Sequence, residues 1–261
     1  MESDKDVINV AYAVNVAGDG AAMFVNQLLA SVASIARNGL GEDRVRAYIL
    51  HGQLGDDVIK KLLGLKTDRF DVVCASFAQR DMDFMQQFTK NSPTSSQRSW
   101  SGIVFARLWL PVYLKDIDRC IYLDSDTLVR KPLREIWDFD LGGKAYGMAM
   151  GSVPEYGYNS GVMLMDFKKV DTPENWKALY EHASKYAQSY MLPDQTVINR
   201  HYAGQIAEMP RRFNYPPRTD VQTTQECQDA VVWHFYNGGT KPAVFSEADW
   251  CKVEWNGYFA R

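Results

Sequence analysis

The stretch Ile121-Tyr122-Leu123-Asp124-Ser125-Asp126-Thr127-Leu128-Val129 is a short apolar run that leads into two aspartates separated by one residue. If the run forms a strand, both carboxylates lie where the chain leaves the sheet. Ligands of open α/β sheets bind just beyond the carboxyl ends of the strands. Two carboxylates at that place suit Mg²⁺ or Mn²⁺ and, through the metal, a diphosphate. The same residue types also form ordinary acidic turns, so the rest of the chain has to distinguish the two interpretations.

The segments that precede this stretch alternate between strand and helix patterns. Apolar runs rich in β-branched residues predict strands at 7–14, 45–51 and 70–77, with helical spacing of apolar residues between them. A fourth strand is predicted at 119–123, ending at the aspartates. Such alternation predicts an α/β fold with a mostly parallel central sheet, flanking helices and right-handed crossovers. No Gly-x-Gly-x-x-Gly follows the first run, so a dinucleotide site is not predicted.

The later part of the chain is predicted to be more mixed. Helices are expected at 103–114, from about 173 to 189 and from about 193 to 202, and strands at 144–150, 161–165 and 230–236. The polar segment 79–100 is predicted to be a long loop. Two hypotheses apply to this loop, a mobile surface segment and a lid over a substrate site.

Composition excludes several classes of protein. The formal net charge of -3 gives no basic footprint for nucleic acid. Apolar runs are too short to span a bilayer, and no signal peptide is visible at the N-terminus. The four cysteines form no Cys-x-x-Cys pair, so reduced thiols and a reducing, cytoplasmic location are expected. Oligomeric state is not predicted.

Other polar groups along the chain are candidate site residues, although each also has an ordinary structural interpretation. Arg107 in a predicted helix is a candidate anion ligand or a surface ion pair. Asn159-Ser160-Gly161 follows a predicted strand and also suits a turn. Asp194-Gln195 opens a helix, where an acid caps the helix dipole. His234 and Lys241 flank a predicted turn near the end of the sequence.

Taken in order, these pieces resemble the family 8 glycosyltransferases, which include bacterial lipopolysaccharide galactosyl- and glucosyltransferases. The matching motifs are Phe105-Ala106-Arg107-Leu108, Tyr122-Leu123-Asp124-Ser125-Asp126, Asn159-Ser160-Gly161-Val162, Asp194-Gln195 and His234 followed by Lys241-Pro242. The resemblance covers most of the chain, from Val7 to about Lys241.

The resemblance implies a GT-A fold in a single domain, with a nucleotide-binding half at about 1–130 and a smaller, β-rich acceptor-side half at about 131–261. It implies transfer of galactose or glucose from a UDP-sugar to an oligosaccharide or glycoconjugate, with retention of the anomeric configuration. It also implies Mn²⁺, with Mg²⁺ as the alternative, held by Asp124, Asp126 and His234. The chemistry agrees, because a divalent cation stabilises a departing diphosphate.

The resemblance also implies roles for the remaining residues. Lys241 adds positive charge to the phosphates, and Asn159, Asp194 and Gln195 hold the transferred sugar, with Gln195 where a nucleophile would be expected. An amide is a poor nucleophile, so front-face attack is preferred. The complete set of predicted ligand-binding residues is Ala13, Asn15, Arg107, Asp124, Ser125, Asp126, Asn159, Ser160, Asp194, Gln195, His234, Gly238 and Lys241.

Three departures from the family pattern affect these expectations. The first loop carries Ala13-Val14-Asn15 where the family has an acid for the uracil, so Asn15 is the candidate substitute. The turn between His234 and Lys241 is one residue longer than usual, and Ala243 replaces a common Trp. The acceptor-binding region after residue 150 is short, and the chain ends before any basic, aromatic tail, so peripheral membrane contact has no support.

Two alternative functions fit part of the pattern. Asp124-Ser125-Asp126-Thr127-Leu128 matches the first motif of haloacid dehalogenase phosphatases, with Asp124 as nucleophile and Asp126 as acid/base. That motif belongs on a first core strand, and the late acidic pair that completes such a site is missing. The other alternative is a non-catalytic module that binds a nucleotide-sugar or glycan. The missing first-loop acid keeps it open, but it does not explain why Asp124, Asp126, His234 and Lys241 are all present.

Overall fold

The computed structural model describes residues 7–16, 21–90, 102–186, 192–217, 224–236 and 257–258. Its strands are β1 (Val7–Val14), β2 (Arg44–His51), β3 (Phe70–Ser76), β4 (Arg119–Leu123), β5 (Thr127–Val129), β6 (Tyr146–Met150), β7 (Tyr158–Asp166), β8 (Ile206–Glu208) and β9 (Val232–His234). Its α-helices are α1 (Ala21–Ser34), α2 (Asp56–Leu63), α3 (Gln79–Lys90), α4 (Leu110–Tyr113), α5 (Arg134–Trp137), α6 (Phe167–Val170), α7 (Pro173–Tyr186), α8 (Pro193–His201) and α9 (Gln225–Asp229). A π-helical turn at Ile35–Gly39 extends α1, and 3₁₀ helices occupy Gly102–Trp109, Pro154–Tyr156 and Arg211–Phe213.

The main sheet has seven strands in the order β3-β2-β1-β4-β7-β6-β8. Its first four strands run parallel, β7 lies antiparallel to both β4 and β6, and β8 is parallel to β6. This topology confirms the predicted α/β class with a mostly parallel sheet. The predicted strands at 7–14, 45–51, 70–77 and 119–123 all form within one residue of their expected limits.

The sheet is buried on both faces, which explains why its central strands are almost continuously apolar. Ile121 and Leu123 of β4 belong to one hydrophobic core, whereas Cys120 and Tyr122 belong to the core on the opposite face. Because successive side chains alternate between faces, Asp124 leaves the sheet on the same face as Tyr122.

A second, two-stranded sheet lies directly after the aspartates. Strand β5 pairs antiparallel with β9, with Thr127 opposite His234. The backbone amide of Phe235 donates to the carbonyl oxygen of Asp126 at 2.9 Å. This pairing brings residues from distant parts of the sequence to the end of β4.

The structure of segment 79–100 differs from the long loop that the sequence predicts. Its first part is helix α3, so the loop prediction is wrong for residues 79–90, whereas the remainder of the proposed lid lies outside the described residues. Met82 and Met85 recur at helical spacing and pack into the core, and the many polar residues of the helix obscured this pattern. Gly102 approaches α3 so closely that a Cβ there would lie 2.4 Å from the backbone nitrogen of Gln86.

Two further observations concern the described residues. Cys74, Cys120 and Cys227 are free thiols. No helix in the described ranges has both the length and the apolar character needed to cross a bilayer.

A buried line of hydroxyl groups supports the turn between the two aspartates. The Thr127 hydroxyl donates to the carbonyl oxygen of Asp124 at 2.8 Å and has one proton, so it accepts from Ser31. By the same reasoning, Ser31 accepts from the Tyr12 hydroxyl at 2.9 Å. Strand β1 and helix α1 therefore position the turn through directed hydrogen bonds.

This line predicts two graded losses of stability. Thr127→Val leaves Ser31 and the Asp124 carbonyl without their partner, so we expect the free energy of unfolding to fall by about 1–3 kcal/mol. Tyr12→Phe removes only the outermost donor, and its expected cost is about 1 kcal/mol. Urea denaturation of both variants measures the difference. Equal losses, or a larger loss for Tyr12→Phe, would contradict the inferred direction of the hydrogen bonds.

Candidate functional site

Three metal-ligating side chains converge at the carboxyl end of β4. The Nε2 atom of His234 lies 3.2 Å from Oδ1 of Asp126 and 3.7 Å from Oδ2 of Asp124. One ligand atom from each residue falls within 4.8 Å of the others. Asp126 and His234 are buried, and Asp124 is partly exposed. Residues from the middle and from the late part of the sequence meet here because β9 pairs with β5.

The backbone of β7 closes the opposite side of this group at a glycine. The amide of Asp124 donates to the carbonyl oxygen of Gly161 at 2.8 Å, continuing the β4–β7 pairing. A Cβ at Gly161 would lie 1.9 Å from Cε1 of His234 and 2.6 Å from Oδ2 of Asp124. The glycine of Asn159-Ser160-Gly161 is therefore required by the close approach of the ligand group.

Arg107 is a buried cation between two carboxylates. Its Nη2 atom lies 3.0 Å from Oδ1 of Asp124, and its Nε atom lies 3.3 Å from Oδ2 of Asp194. The guanidinium also donates to the carbonyl oxygens of Ser160 and Val104 at 2.7 and 3.0 Å. Only 6% of Arg107 is exposed, so this side chain is a structural part of the site and not the surface ion pair of the alternative interpretation.

Charge within this cluster explains two shifts in pKa. Burial disfavours the charged form of Arg107, but Asp124 and Asp194 outweigh it and hold the pKa of the guanidinium above its ordinary value. Burial also raises the pKa of the Asp194 carboxyl, although Arg107 acts in the opposite direction. One cation faces two carboxylates, and the more buried of them, Asp194, is the one whose pKa is raised.

Tyr122 is a site residue that sequence reasoning missed. Its hydroxyl donates to Oδ1 of Asp124 at 2.7 Å, and the Arg107 guanidinium lies 4.7 Å from the centre of its ring. Together Tyr122 and Arg107 engage Oδ1 of Asp124, so that Oδ2 faces His234. The two-residue period of a strand, which places Tyr122 and Asp124 on one face, could have identified it.

A continuous set of amide hydrogen bonds connects His234 to helix α8. Nδ1 of His234 lies 2.9 Å from Oδ1 of Asn214, whose Nδ2 donates to Oδ1 of Asn159 at 2.9 Å. Asn159 in turn donates to Oε1 of Gln195 at 3.2 Å, and Gln195 donates to the carbonyl oxygen of Tyr156 at 3.0 Å. Asn214 was also missed, because it lies in a loop-rich segment without a recognisable motif.

The predicted site residues fall into four groups. The structure brings together eight of them in one connected cluster: Arg107, Asp124, Asp126, Asn159, Ser160, Asp194, Gln195 and His234. Ser125 lies in the turn between the aspartates. Ala13 and Asn15 leave β1 at the same sheet edge, since β1 runs parallel to β4 with Ala11 opposite Tyr122. Gly238 and Lys241, like Ala243, lie outside the described residues.

The three converging groups fit a divalent cation chemically. Carboxylate oxygens suit hard cations, and a neutral imidazole is compatible with Mn²⁺. Three electron-pair donors this close repel one another unless a cation lies between them. The third group within 4.8 Å of Asp124 and Asp126 is the imidazole of His234, whereas a haloacid dehalogenase site is completed by a late acidic pair.

Comparison with known proteins identifies similar sequences and folds. The sequence profile of the family described as Glycosyl transferase family 8 matches residues 15–242. The glycosyltransferase GlyF of Streptococcus pneumoniae serotype 4 is 32% identical over 117 residues, which cover 42% of this chain and 29% of that protein. The lipopolysaccharide 1,2-glucosyltransferase of Escherichia coli K12 is 26% identical over 184 residues, covering 59% of this chain and 54% of that protein.

Structural comparison confirms the GT-A fold. The galactosyltransferase LgtC, crystallised with donor and acceptor sugar analogues, superimposes with a TM-score of 0.74 at 18% identity, covering 96% of this chain and 95% of that one. Among the curated relatives matched first, this chain spans only 29% to 39% of the relative's length.

The approach of Gly161 to the ligand group predicts a specific defect. Gly161→Ala should displace His234 or Asp124 and lower Mn²⁺ affinity by about 10-fold or more, as disturbance of a metal ligand's surroundings commonly does. Isothermal titration with Mn²⁺ measures this loss. Gly55→Ala is the control, because a Cβ at Gly55 meets nothing within 4 Å. Unchanged Mn²⁺ affinity in Gly161→Ala would contradict the described geometry.

The paired charges of Arg107 predict a pH-dependent loss of stability. Arg107→Gln leaves Asp124 and Asp194 without their cation, and breaking such a buried pair costs about 3–5 kcal/mol. Without Arg107, the folded-state pKa of the Asp194 carboxyl rises further above its unfolded value. The folded state then holds a proton that the unfolded state releases, so the destabilisation is small in acid and grows as pH rises from the unfolded to the folded pKa of this carboxyl.

Urea denaturation from pH 5 to pH 8 measures this effect. Arg46→Gln is the matched control, because Arg46 pairs with Asp71 at a half-exposed position where ion pairs contribute little. A pH-independent loss in Arg107→Gln would show that the guanidinium does not hold the Asp194 carboxyl in its charged form.

Proposed function

The chain belongs to Glycosyl transferase family 8, and from this membership we propose that it transfers a hexose from a UDP-sugar to a glycan acceptor. We further propose that the anomeric configuration is retained and that Mn²⁺ is required, with Mg²⁺ as the alternative ion. The observation that carries the proposal is the convergence of Asp124, Asp126 and His234 at the carboxyl end of β4. Ligands of open α/β sheets bind at this edge.

The ligand group supports the choice of a diphosphate-linked donor. Asp124, Asp126 and His234 would hold the divalent ion, which supplies Lewis-acid stabilisation of the departing diphosphate when bound. Arg107, Tyr122 and Gly161 hold these ligands in place. In this proposal residues up to about 130 form the nucleotide-binding half and the remainder forms the acceptor-side half of a single domain.

The base and phosphates are assigned to residues around β1 and beyond β9. Ala13 and Asn15 lie at the end of β1, and Oδ1 of Asn15 accepts from the amide of Gln53 at 3.1 Å, which orients its side chain. Uracil recognition through Asn15 would then compensate for the acid missing at Ala13. Gly238 and Lys241 are proposed to contact the phosphates, where an ammonium offsets developing negative charge.

The transferred sugar is assigned to the polar groups opposite the ligand triad. Asn159, Asp194 and Gln195 are all more than nine-tenths buried and offer amide and carboxylate groups that hydrogen-bond sugar hydroxyls. Asp194 is held by Arg107 and accepts from the Ser160 hydroxyl at 3.1 Å. Galactose and glucose are the proposed donor sugars, which agrees with the names of the LgtC and E. coli relatives.

The contacts of Gln195 favour a positioning role over a nucleophilic one. Its amide oxygen accepts from Asn159, and its amide nitrogen donates to the carbonyl of Tyr156. A neutral amide engaged at both ends is a poor nucleophile. We therefore favour front-face attack, in which the acceptor oxygen bonds to the anomeric carbon as the phosphate leaves, and the departing phosphate oxygen takes the acceptor's proton.

The acceptor and the location complete the proposal. An oligosaccharide or glycoconjugate acceptor, lipopolysaccharide core among the candidates, is supported by the names of the relatives. A cytoplasmic location is supported by the free thiols of Cys74, Cys120 and Cys227, since reducing compartments keep thiols unpaired.

Release of UDP tests the proposed reaction. With Mn²⁺ and a panel of UDP-sugars, UDP-galactose or UDP-glucose should give turnover that chelation abolishes. Asp126→Asn should reduce it by about 100-fold or more, since even changes outside the ligands cost ~10–100-fold. Asp71→Asn, which alters a carboxylate in a surface ion pair on β3, is the matched control and should retain activity. The proton NMR spectrum of the product should show an α-anomeric linkage.

Two outcomes would replace the proposal. Mg²⁺-dependent hydrolysis of p-nitrophenyl phosphate that Asp124→Asn abolishes would favour the phosphatase. Binding of UDP-sugar without hydrolysis or transfer, across a broad acceptor panel, would favour a non-catalytic module.

A further inference from the structure

Two backbone groups determine which atom donates and which accepts in the side-chain amide hydrogen bonds that connect His234 to α8. The backbone amide of Gly161 can only donate, and it lies 3.0 Å from Oδ1 of Asn159. This contact identifies the Asn159 atom as oxygen. At the far end, the carbonyl of Tyr156 can only accept, so the Gln195 atom that faces it is nitrogen. Both backbone anchors give the intervening amides the same orientation.

The assignment of donors and acceptors extends from Asn159 through Asn214 to the imidazole of His234. Because Oδ1 of Asn159 is an acceptor, the Asn214 atom 2.9 Å away is the donor Nδ2. The other Asn214 atom is therefore an oxygen, and it faces Nδ1 of His234 at 2.9 Å. An oxygen at this distance requires a proton on Nδ1. In the neutral imidazole, Nε2 then carries a lone pair that points at Asp124 and Asp126.

We propose that Asn214 is a positioning residue that holds neutral His234 in the Nδ1–H tautomer and so prepares its Nε2 lone pair for a metal ion. The inference deepens the proposed function and rests on its metal site. Asn214 and His234 are only 2% and 1% exposed, so water cannot replace the hydrogen bond between them. The partner of the second ring nitrogen sets the tautomer of a ligating histidine.

A second asparagine–histidine pair, Asn175 and His201, is predicted to hold the opposite histidine tautomer and serves as an internal reference. Nδ2 of Asn175 donates to the carbonyl oxygen of Val170 at 2.6 Å, so Oδ1 of Asn175 faces Nε2 of His201 at 3.1 Å. The same reasoning gives His201 the Nε2–H tautomer. Two asparagine–histidine pairs in one chain are therefore predicted to hold opposite tautomers, and only the one at Asn214 lies in the ligand group.

Nitrogen NMR of the metal-free protein tests the tautomer directly. Labelling histidine with ¹⁵N gives signals from only four imidazoles, and His234→Gln and His201→Gln assign two of them. In spectra recorded well above the ordinary pKa of histidine, His234 should show a protonated Nδ1 and His201 a protonated Nε2. A protonated Nε2 in wild-type His234 would overturn the proposal, without requiring any variant of Asn214.

Three variants separate positioning from general stability. Asn214→Leu should lose the Nδ1–H form of His234 and bind Mn²⁺ about 10–100-fold more weakly, the range expected for an outer-shell partner. Asn214→Asp keeps an acceptor for Nδ1 but cannot donate to Oδ1 of Asn159, so it should preserve the Nδ1–H form of His234 without restoring the complete amide set. Asn175→Leu, the matched control, should alter only the His201 signals.

The outcomes distinguish this proposal from the proposed reaction. Wild-type Mn²⁺ affinity with an unchanged His234 tautomer in Asn214→Leu would overturn the role of Asn214. If Asn214→Leu does not fold, the wild-type spectrum and Asn214→Asp decide the matter, and loss of the Nδ1–H form in Asn214→Asp would also overturn it. Absence of UDP-sugar turnover together with the expected spectra would refute the reaction and leave the role of Asn214 supported.

Discussion

The buried guanidinium of Arg107 is the interaction on which the site depends. A cation removed from water is tolerated only when carboxylates and carbonyl oxygens replace its hydration, and Arg107 finds all of these within reach. Its partners come from the end of β4, from β7 and from the start of α8. Arg107 finds all of its hydrogen-bond and charge partners only when these three elements are correctly placed. The packing of the sheet therefore also determines the geometry of the site.

Arg107 also determines how the negative charge is distributed. It engages Oδ1 of Asp124 and leaves Oδ2 facing Asp126 and His234, where electron-pair donors converge. Folding thus concentrates an excess of anions and lone pairs at one sheet edge, in conflict with the usual separation of like charges. A divalent ion would relieve that conflict. Burial, and to a smaller extent the charge of Asp124, holds the pKa of Asp194 above its ordinary value. The site is stable enough to form and is electrostatically prepared for a cation.

Much of this arrangement could be predicted from sequence because it follows local patterns. Strands β1 and β4 are buried and almost continuously apolar, β2 and β3 are recognisable from their β-branched residues, and Asp124 directly follows β4. The resemblance to a known family then identified Arg107, Asp194 and His234, whose proximity no local pattern shows. Helix α3 was missed because its polar residues hide the spacing of Met82 and Met85. Asn214 was missed because its role depends on hydrogen-bond direction across a loop, which has no periodic signature.

The position of His234 on β9 has a consequence for how the protein is made. A ribosome delivers Arg107 and both aspartates long before β9, and domains begin to fold from the N-terminus during synthesis. Until β9 pairs with β5, the nascent chain presents two carboxylates without the imidazole. Metal capture at the proposed site would therefore wait until the main sheet is in place. Since ion binding and folding are thermodynamically linked, a bound ion would stabilise completely folded molecules in preference to incomplete ones.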